Sequence, residues 1–236
     1  QHESMFSDAF ASFGLKPDVT LNVMSPNQSL VELTNKLIDS TDKYYSDFDP
    51  DLVLVHGDTS TAMASSLAAF YQKIPIGHVE AGLRTYDKFS PFPEEFNRRL
   101  IALNADYHYA PTTNSRNNLL KEGINKKNII LTGNTVIDAL MIIRDSILSN
   151  KNQFFSLKEK FLNLIGFDVT NEKYILITAH RRENYSGIKD ICISIKELAL
   201  NNPKVKFIFP VHLNPKIKVV VYKGLSDLNN VFLISP

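Results

Sequence analysis

Short apolar runs rich in Val and Ile recur along the chain, and longer segments of helical period lie between most of them. The runs are DLVLVHG at 51–57, IPIGHVE at 74–80, ADYHYA at 105–110, NIILTG at 128–133, YILITAH at 174–180, KFIFPVH at 206–212 and VFLIS at 231–235. Helical patterns fall at about 60–72, 94–103, 114–121, 135–149, 156–164 and 188–200. A strand that is apolar on both sides needs cover on both faces, and the helical crossovers between parallel strands supply it. The expected fold class is therefore α/β, built on doubly wound parallel sheets.

One interval breaks the rhythm. Between the runs near 130 and 175 come two successive helical patterns and a charged, asparagine-bearing stretch, more than a single crossover needs. The spacing predicts a first α/β domain over 1–150, a connection over 151–170, and the beginning of a second domain over 171–236. Gln1 opens directly into a helical pattern and Pro236 closes directly after a strand-like run, so the sequence reads as part of a longer chain.

Composition narrows the function classes. With 44% hydrophobic and 22% charged residues among 236, the chain can build a core and is not a disordered segment. Twenty-six Lys and Arg against 25 Asp and Glu leave a net charge of +1, which proposes neither a nucleic-acid nor a membrane-surface partner. Any anion site has to be local. The single Cys192, inside an apolar helical stretch, excludes an internal disulfide, fits a reducing compartment and reads as a small buried hydrophobe. No run approaches the roughly 20 apolar residues of a membrane span, and no basic-then-apolar leader opens the sequence, so a cytoplasmic address is expected.

In an open parallel sheet, ligands bind beyond the carboxyl ends of the strands, where loops and helix N-termini present side chains and unpaired N–H groups. Polar residues collect at those ends. The first run exits into His56-Gly57-Asp58-Thr59-Ser60-Thr61, placing Asp58 at a helix N-terminus where Thr59 and Ser60 are natural caps. The second exits into Gly77-His78-Val79-Glu80-Ala81-Gly82-Leu83-Arg84, so that Glu80 either faces a ligand between small residues or pairs with Arg84. Glu94 and Arg98 stand four apart at a helix start, a spacing that also suits an ordinary surface ion pair. The fifth run exits into His180-Arg181-Arg182-Glu183-Asn184, an imidazole and two guanidiniums fit to hold a phosphate. His212 follows the sixth and reads equally well as a structural histidine.

Titratable groups at several strand ends, with apolar strand interiors, indicate an active-site cleft. The chain lacks a P-loop, GxGxxG, HExxH, CxxC or GxSxG motif. His56 with Asp58, and His78 with Glu80, stand two apart but do not have the compact ligand spacing of zinc sites, and no metal is expected.

The motifs HGDTST (56–61), GHVEAGLRT (77–85), PEEFNRRL (93–100), TGNTVIDAL (132–140), HRREN (180–184) and PVHLNP (210–215) together resemble the non-hydrolysing UDP-N-acetylglucosamine 2-epimerases, in order and spacing, over essentially the whole chain. The resemblance implies two Rossmann-like domains around a cleft, as in B-type glycosyltransferases, with the second domain incomplete and the main uridine-binding segments further on. It implies catalytic roles for Asp58, Glu80, Glu94 and His180, substrate contacts from Arg98, Arg181, Arg182 and His212, no cofactor, and a homodimer. Gln1, His2 and His212 fall where some bacterial members bind a second UDP-N-acetylglucosamine as an activator. There the family commonly has Arg after QH, whereas Glu3 and Ser4 follow here, setting a carboxylate beside a diphosphate.

The C2 hydrogen of such a sugar is not next to a carbonyl, and no redox-cofactor motif offers a transient ketone. The implied route is elimination of UDP to 2-acetamidoglucal and re-addition with inverted C2, supplying precursor for surface polysaccharide. The competing readings are a hydrolysing epimerase that releases N-acetylmannosamine, a glycosyltransferase of the same fold, and a non-catalytic sugar-nucleotide binder.

Overall fold

A computed structural model describes residues 10–179, 187–212 and 214–235. The chain divides into two compact units, Gln1–Arg144 and Asp145–Pro236.

The first long helix among the described residues is α1 (Leu30–Phe48), which the apolar-run pattern does not announce. Its local signal is a capping box: Ser29 Oγ accepts the Glu32 N–H at 3.2 Å, and Glu32 Oε2 accepts the Ser29 N–H at 2.8 Å. Leu33, Leu37, Thr41 and Tyr45, spaced by four, form its buried stripe. Asp49, left-handed at φ 50°, ends it.

Four parallel strands follow, β1 (Val53–His56), β2 (Ile76–Val79), β3 (Tyr107–Ala110) and β4 (Ile129–Leu131), side by side in sequence order. They alternate with α2 (Ser60–Tyr71), α3 (Glu94–Asn104) and α4 (Thr113–Lys121). Val53, Val55 and Ile76 pack with Ala62, Met63, Ala68, Ala69 and Ile101 in one cluster. A second joins Ala81, Ala102, Ala110, Leu119 and Ile129. The alanines of α2 carry little bulk, which lets it lie close to the sheet while also packing on α1 and α3. On the other side of the strands, Leu54, Tyr107 and Ile130 are exposed. The β1–β2 register pairs His56 with Val79, so the residues just past both strands, Gly57-Asp58 and Glu80, leave the sheet at the same level.

A further helix, α5 (Thr135–Ser149), contains the point where the two units divide. The second unit comprises α6 (Lys151–Ile165), β5 (Tyr174–Leu176), α7 (Ile188–Asn201), β6 (Lys206–Pro210), α8 (Pro215–Leu225) and β7 (Val231–Ile234), with parallel strands in the order β5-β6-β7. Here β6 is covered on both faces. Phe207 and Phe209 pack with Ile195, Val221 and Leu225, while Ile208 packs with Ile165 and Phe167. Cys192 is buried in the first of these clusters, as its apolar context predicts, and burial pushes its thiol pKa up. The sequence pattern also passes over α8, whose start is set by Asn214 Oδ1 accepting the Lys216 N–H at 2.9 Å and by Pro215 in the first turn. Among the described residues, no helix is long and apolar enough to cross a membrane.

Candidate active site

The site is assembled where β1 and β2 end. Gly57 turns the chain with φ +72°, and its N–H donates to Val79 O at 3.0 Å. Its carbonyl oxygen lies 2.8 Å from Nε2 of His78, a fully buried side chain of β2. Thr59 is the cap of α2, its Oγ1 accepting the Ala62 N–H at 3.2 Å. Capping therefore falls to Thr59, and the Asp58 carboxylate turns to Arg98, with Oδ2 3.4 Å from Nη2. Asn97 Nδ2 donates to the Asp58 carbonyl oxygen at 2.9 Å and fixes the peptide as well. Burial raises the pKa of Asp58; Arg98 opposes that rise, and the nearby Glu94 and Glu80 add to it.

Glu80 has φ +66°, a left-handed conformation that costs a non-glycine residue on the order of 1–2 kcal/mol. Its Oε2 lies 3.6 Å from His56 Nε2. A Cβ on Gly57 would stand 3.4 Å from the same oxygen, so the bare glycine keeps the turn and the carboxylate in close approach. Arg84 does not pair with Glu80. It reaches instead to the C-cap of α4, where Nε and Nη2 bind Glu122 Oε1 and Oε2 at 2.8 and 2.7 Å. The arginine side chain is completely buried and structural. Of the two readings open for Glu80, pairing with Arg84 is the one the structure excludes, because the partner of Arg84 stands at the end of α4.

Glu94 opens α3, and its Oε2 is buried without a hydrogen-bond partner among the described residues. A carboxylate oxygen removed from water without compensation is costly, and such an oxygen at a strand-end site is placed for a ligand. Arg98 does not form the surface pair that its spacing from Glu94 allows. Its guanidinium is nearly buried and is shared by Asp58 and Glu95, Nε lying 3.4 Å from Glu95 Oε2. Glu95 and Asn97 are positioned groups that the sequence reading missed, and His78 was weighed there only as half of a metal pair with Glu80. Glu95 and Asn97 resemble an ordinary acidic first turn, and His78 sits inside an apolar run.

Asp58, Glu80, Glu94 and Arg98 are thus brought together in the first unit. His180, Arg181, Arg182, Gln1 and His2 lie outside the described residues. His212 follows β6 in the second unit, where Nδ1 accepts the Asn214 N–H at 3.0 Å at the entry to α8. Among the described residues no group of three His, Cys, Asp or Glu side chains is arranged to hold a metal ion.

Fold and site together define a parallel α/β unit with a cluster of carboxylates and one arginine at its strand ends. The model of the UDP-N-acetylglucosamine 2-epimerase family matches residues 1–236, and the chain belongs to that family. It is 50% identical over 237 residues to the UDP-N-acetylglucosamine 2-epimerase of Neisseria meningitidis serogroup A and 48% identical over 239 residues to that of Salmonella typhimurium. In both cases the alignment takes in 100% of this chain and 62% of the relative, so the chain spans less than two thirds of their length. The crystal structure of the Neisseria meningitidis epimerase bound to UDP-GlcNAc matches with a TM-score of 0.91 at 50% identity, again over 100% of this chain and 62% of that one. The parallel α/β class expected from the sequence is the class this solved epimerase shares.

Proposed function

We propose that the complete protein interconverts UDP-N-acetylglucosamine and UDP-N-acetylmannosamine without hydrolysis, as an isomerase. The observation that carries this reading is the buried, unpartnered Glu94 Oε2 beside Asp58 and Glu80, in a chain whose relatives are named for 2-epimerisation. The similar Neisseria meningitidis epimerase has been solved bound to UDP-GlcNAc, and another, from Methanocaldococcus jannaschii, in complex with UDP-GlcNAc and UDP.

The anomeric C1–O bond breaks and its electron pair leaves with UDP. A carboxylate takes the C2 proton, and the C–H electrons form the C1=C2 bond of 2-acetamidoglucal. UDP oxygen then returns to C1 while C2 accepts a proton on the opposite face. Positive charge on the ring is stabilised by carboxylates and the leaving diphosphate by cations. Asp58, Glu80 and Glu94 divide the base, acid and ring-stabilising duties. Arg98 holds Asp58 and, with His180, Arg181 and Arg182, supplies positive charge for the diphosphate. On the resemblance, His212 is a substrate contact as well. No step calls for a metal or a redox cofactor. On the resemblance alone, the same proposal extends to a homodimer in the cytoplasm, to surface-polysaccharide supply, and to a second UDP-N-acetylglucosamine near Gln1, His2 and His212 that Glu3 disfavours.

Incubating the complete protein with UDP-N-acetylglucosamine in deuterated water, followed by NMR, tests the reading. UDP-N-acetylmannosamine carrying deuterium at C2 is the expected product. Free N-acetylmannosamine with UDP would move the protein to the hydrolysing branch, and product without deuterium would sink proton exchange at C2.

A further inference from the structure

Glu95 stands next to Glu94 in the first turn of α3, yet the chemistry just described gives it no task. It is fully buried, at 0% exposure, and a carboxylate so far from water has to be matched by donors. Three are present. The N–H groups of Thr85 and Tyr86 donate to its Oε2 and Oε1 at 3.0 and 3.2 Å, and Arg98 Nε lies 3.4 Å from Oε2. The first two belong to the loop that follows Glu80, where Tyr86 sits at φ +64°, a conformation a bulky residue keeps only when its surroundings hold it. The third belongs to the guanidinium whose other edge faces Asp58 at 3.4 Å.

One carboxylate thus links the loop after β2 to the arginine beside the turn after β1. We propose that Glu95 is a positioning residue: it divides the Arg98 guanidinium between itself and Asp58, and it pins the loop after Glu80, so that the two catalytic carboxylates are held in one arrangement. The proposal deepens the epimerase reading and rests on it for its kinetic test. Asp58 is faced by Arg98, Glu94 and Glu80, so any change in the share of Arg98 that it receives alters its proton affinity.

Glu95→Gln keeps the shape and removes the charge. In the complete protein it is expected to lower kcat by about 10- to 100-fold, as small displacements of catalytic groups do, with KM for UDP-N-acetylglucosamine changed less than about threefold. With Glu95 neutral, Arg98 pairs with Asp58 alone, so Asp58 holds its proton less tightly and the limb of the kcat profile that Asp58 sets moves to lower pH. Glu95→Asp, which keeps the charge, is expected to keep the wild-type limb and recover part of kcat, and it serves as the working variant should the Gln protein fail to fold. The Asp58 carboxyl titration followed by 13C NMR needs no turnover and is expected to move to lower pH in Glu95→Gln. A Glu95→Gln protein with wild-type kcat and an unmoved Asp58 titration overturns the proposal, as does a lowered unfolding midpoint with both unchanged. Failure of the wild-type protein to convert UDP-N-acetylglucosamine counts against the epimerase reading and leaves the Asp58 titration to decide on Glu95.

Discussion

His78 Nε2 lies 2.8 Å from the carbonyl oxygen of Gly57, so a buried imidazole of one strand holds the turn that carries Asp58 at the end of its neighbour. The ring has to donate from Nε2 and stay neutral, because burial lowers its pKa from 6.5 to about 4. A base that binds its proton less tightly when folded adds stability above its unfolded pKa and loses it as pH falls through the interval. Here that interval runs from 6.5 down to about 4, and at 1.36 kcal/mol per tenfold change in proton affinity it corresponds to about 3 kcal/mol. Urea unfolding at a series of pH values should show this slope in the wild type and not in His78→Gln. Parallel profiles would remove His78 as the source.

Asp58 has the opposite linkage. Its folded pKa is raised above 3.8, mainly by burial, so its contribution favours folding below 3.8 and is lost as pH rises through the folded value. At neutral pH the ionised carboxylate therefore opposes folding. Asp58→Asn should raise the unfolding temperature at pH 7 while lowering turnover by roughly 10²- to 10⁴-fold, and the stability difference should vanish in acid. Arg98 keeps Glu95 as a partner in this variant. An Asp58→Asn protein less stable than wild type at pH 7 would mean that the Arg98 contact outweighs the cost of burial.

Two glycines with the same φ of +87° should behave very differently. A Cβ on Gly82 would fall 2.3 Å from Ser115 O and 2.8 Å from its carbonyl carbon, backbone atoms that cannot yield without moving α4. One on Gly123 would meet nothing within 4 Å. Gly123→Ala should cost about 1–2 kcal/mol, the strain of a left-handed alanine, and Gly82→Ala more than about 3 kcal/mol. Denaturant midpoints compare them directly, and equal losses would show that the loop after β2 relaxes away from α4.

The strand ends were legible because a polar residue at the exit of an apolar run stands out, and Asp58, Glu80 and Glu94 were all marked that way or by motif. Partners were not legible where they depend on packing between elements far apart in sequence. Arg84 finds Glu122 on α4 instead of Glu80, and the burial of Glu95 depends on the loop of Thr85 and Tyr86 donating onto it. The missed α1 is a different case. Its capping box and its four-residue stripe of Leu33, Leu37, Thr41 and Tyr45 were present in the sequence, but a search led by Val- and Ile-rich runs passes over a helix whose apolar residues are so spaced.

The Arg84–Glu122 pair offers a last test, because it separates a structural arginine from a ligand-binding one. The Arg84 side chain is wholly buried, Glu122 is 23% exposed and the pair is bidentate, so removing the arginine leaves a carboxylate that water still reaches in part. Arg84→Gln should therefore lose about 1–2 kcal/mol in urea unfolding, less than a fully buried pair would, and the double variant Arg84→Met with Glu122→Leu should recover a good part of it. Arg84 holds the Glu122 carboxyl below its ordinary 4.5, so the pair's contribution is complete above 4.5 and fades as pH falls through the lowered value. In the complete protein, assayed at a temperature where Arg84→Gln stays folded, KM for UDP-N-acetylglucosamine should stay within about threefold of wild type. A tenfold rise in KM with unchanged stability would show that this guanidinium turns from Glu122 to the substrate when the site is filled.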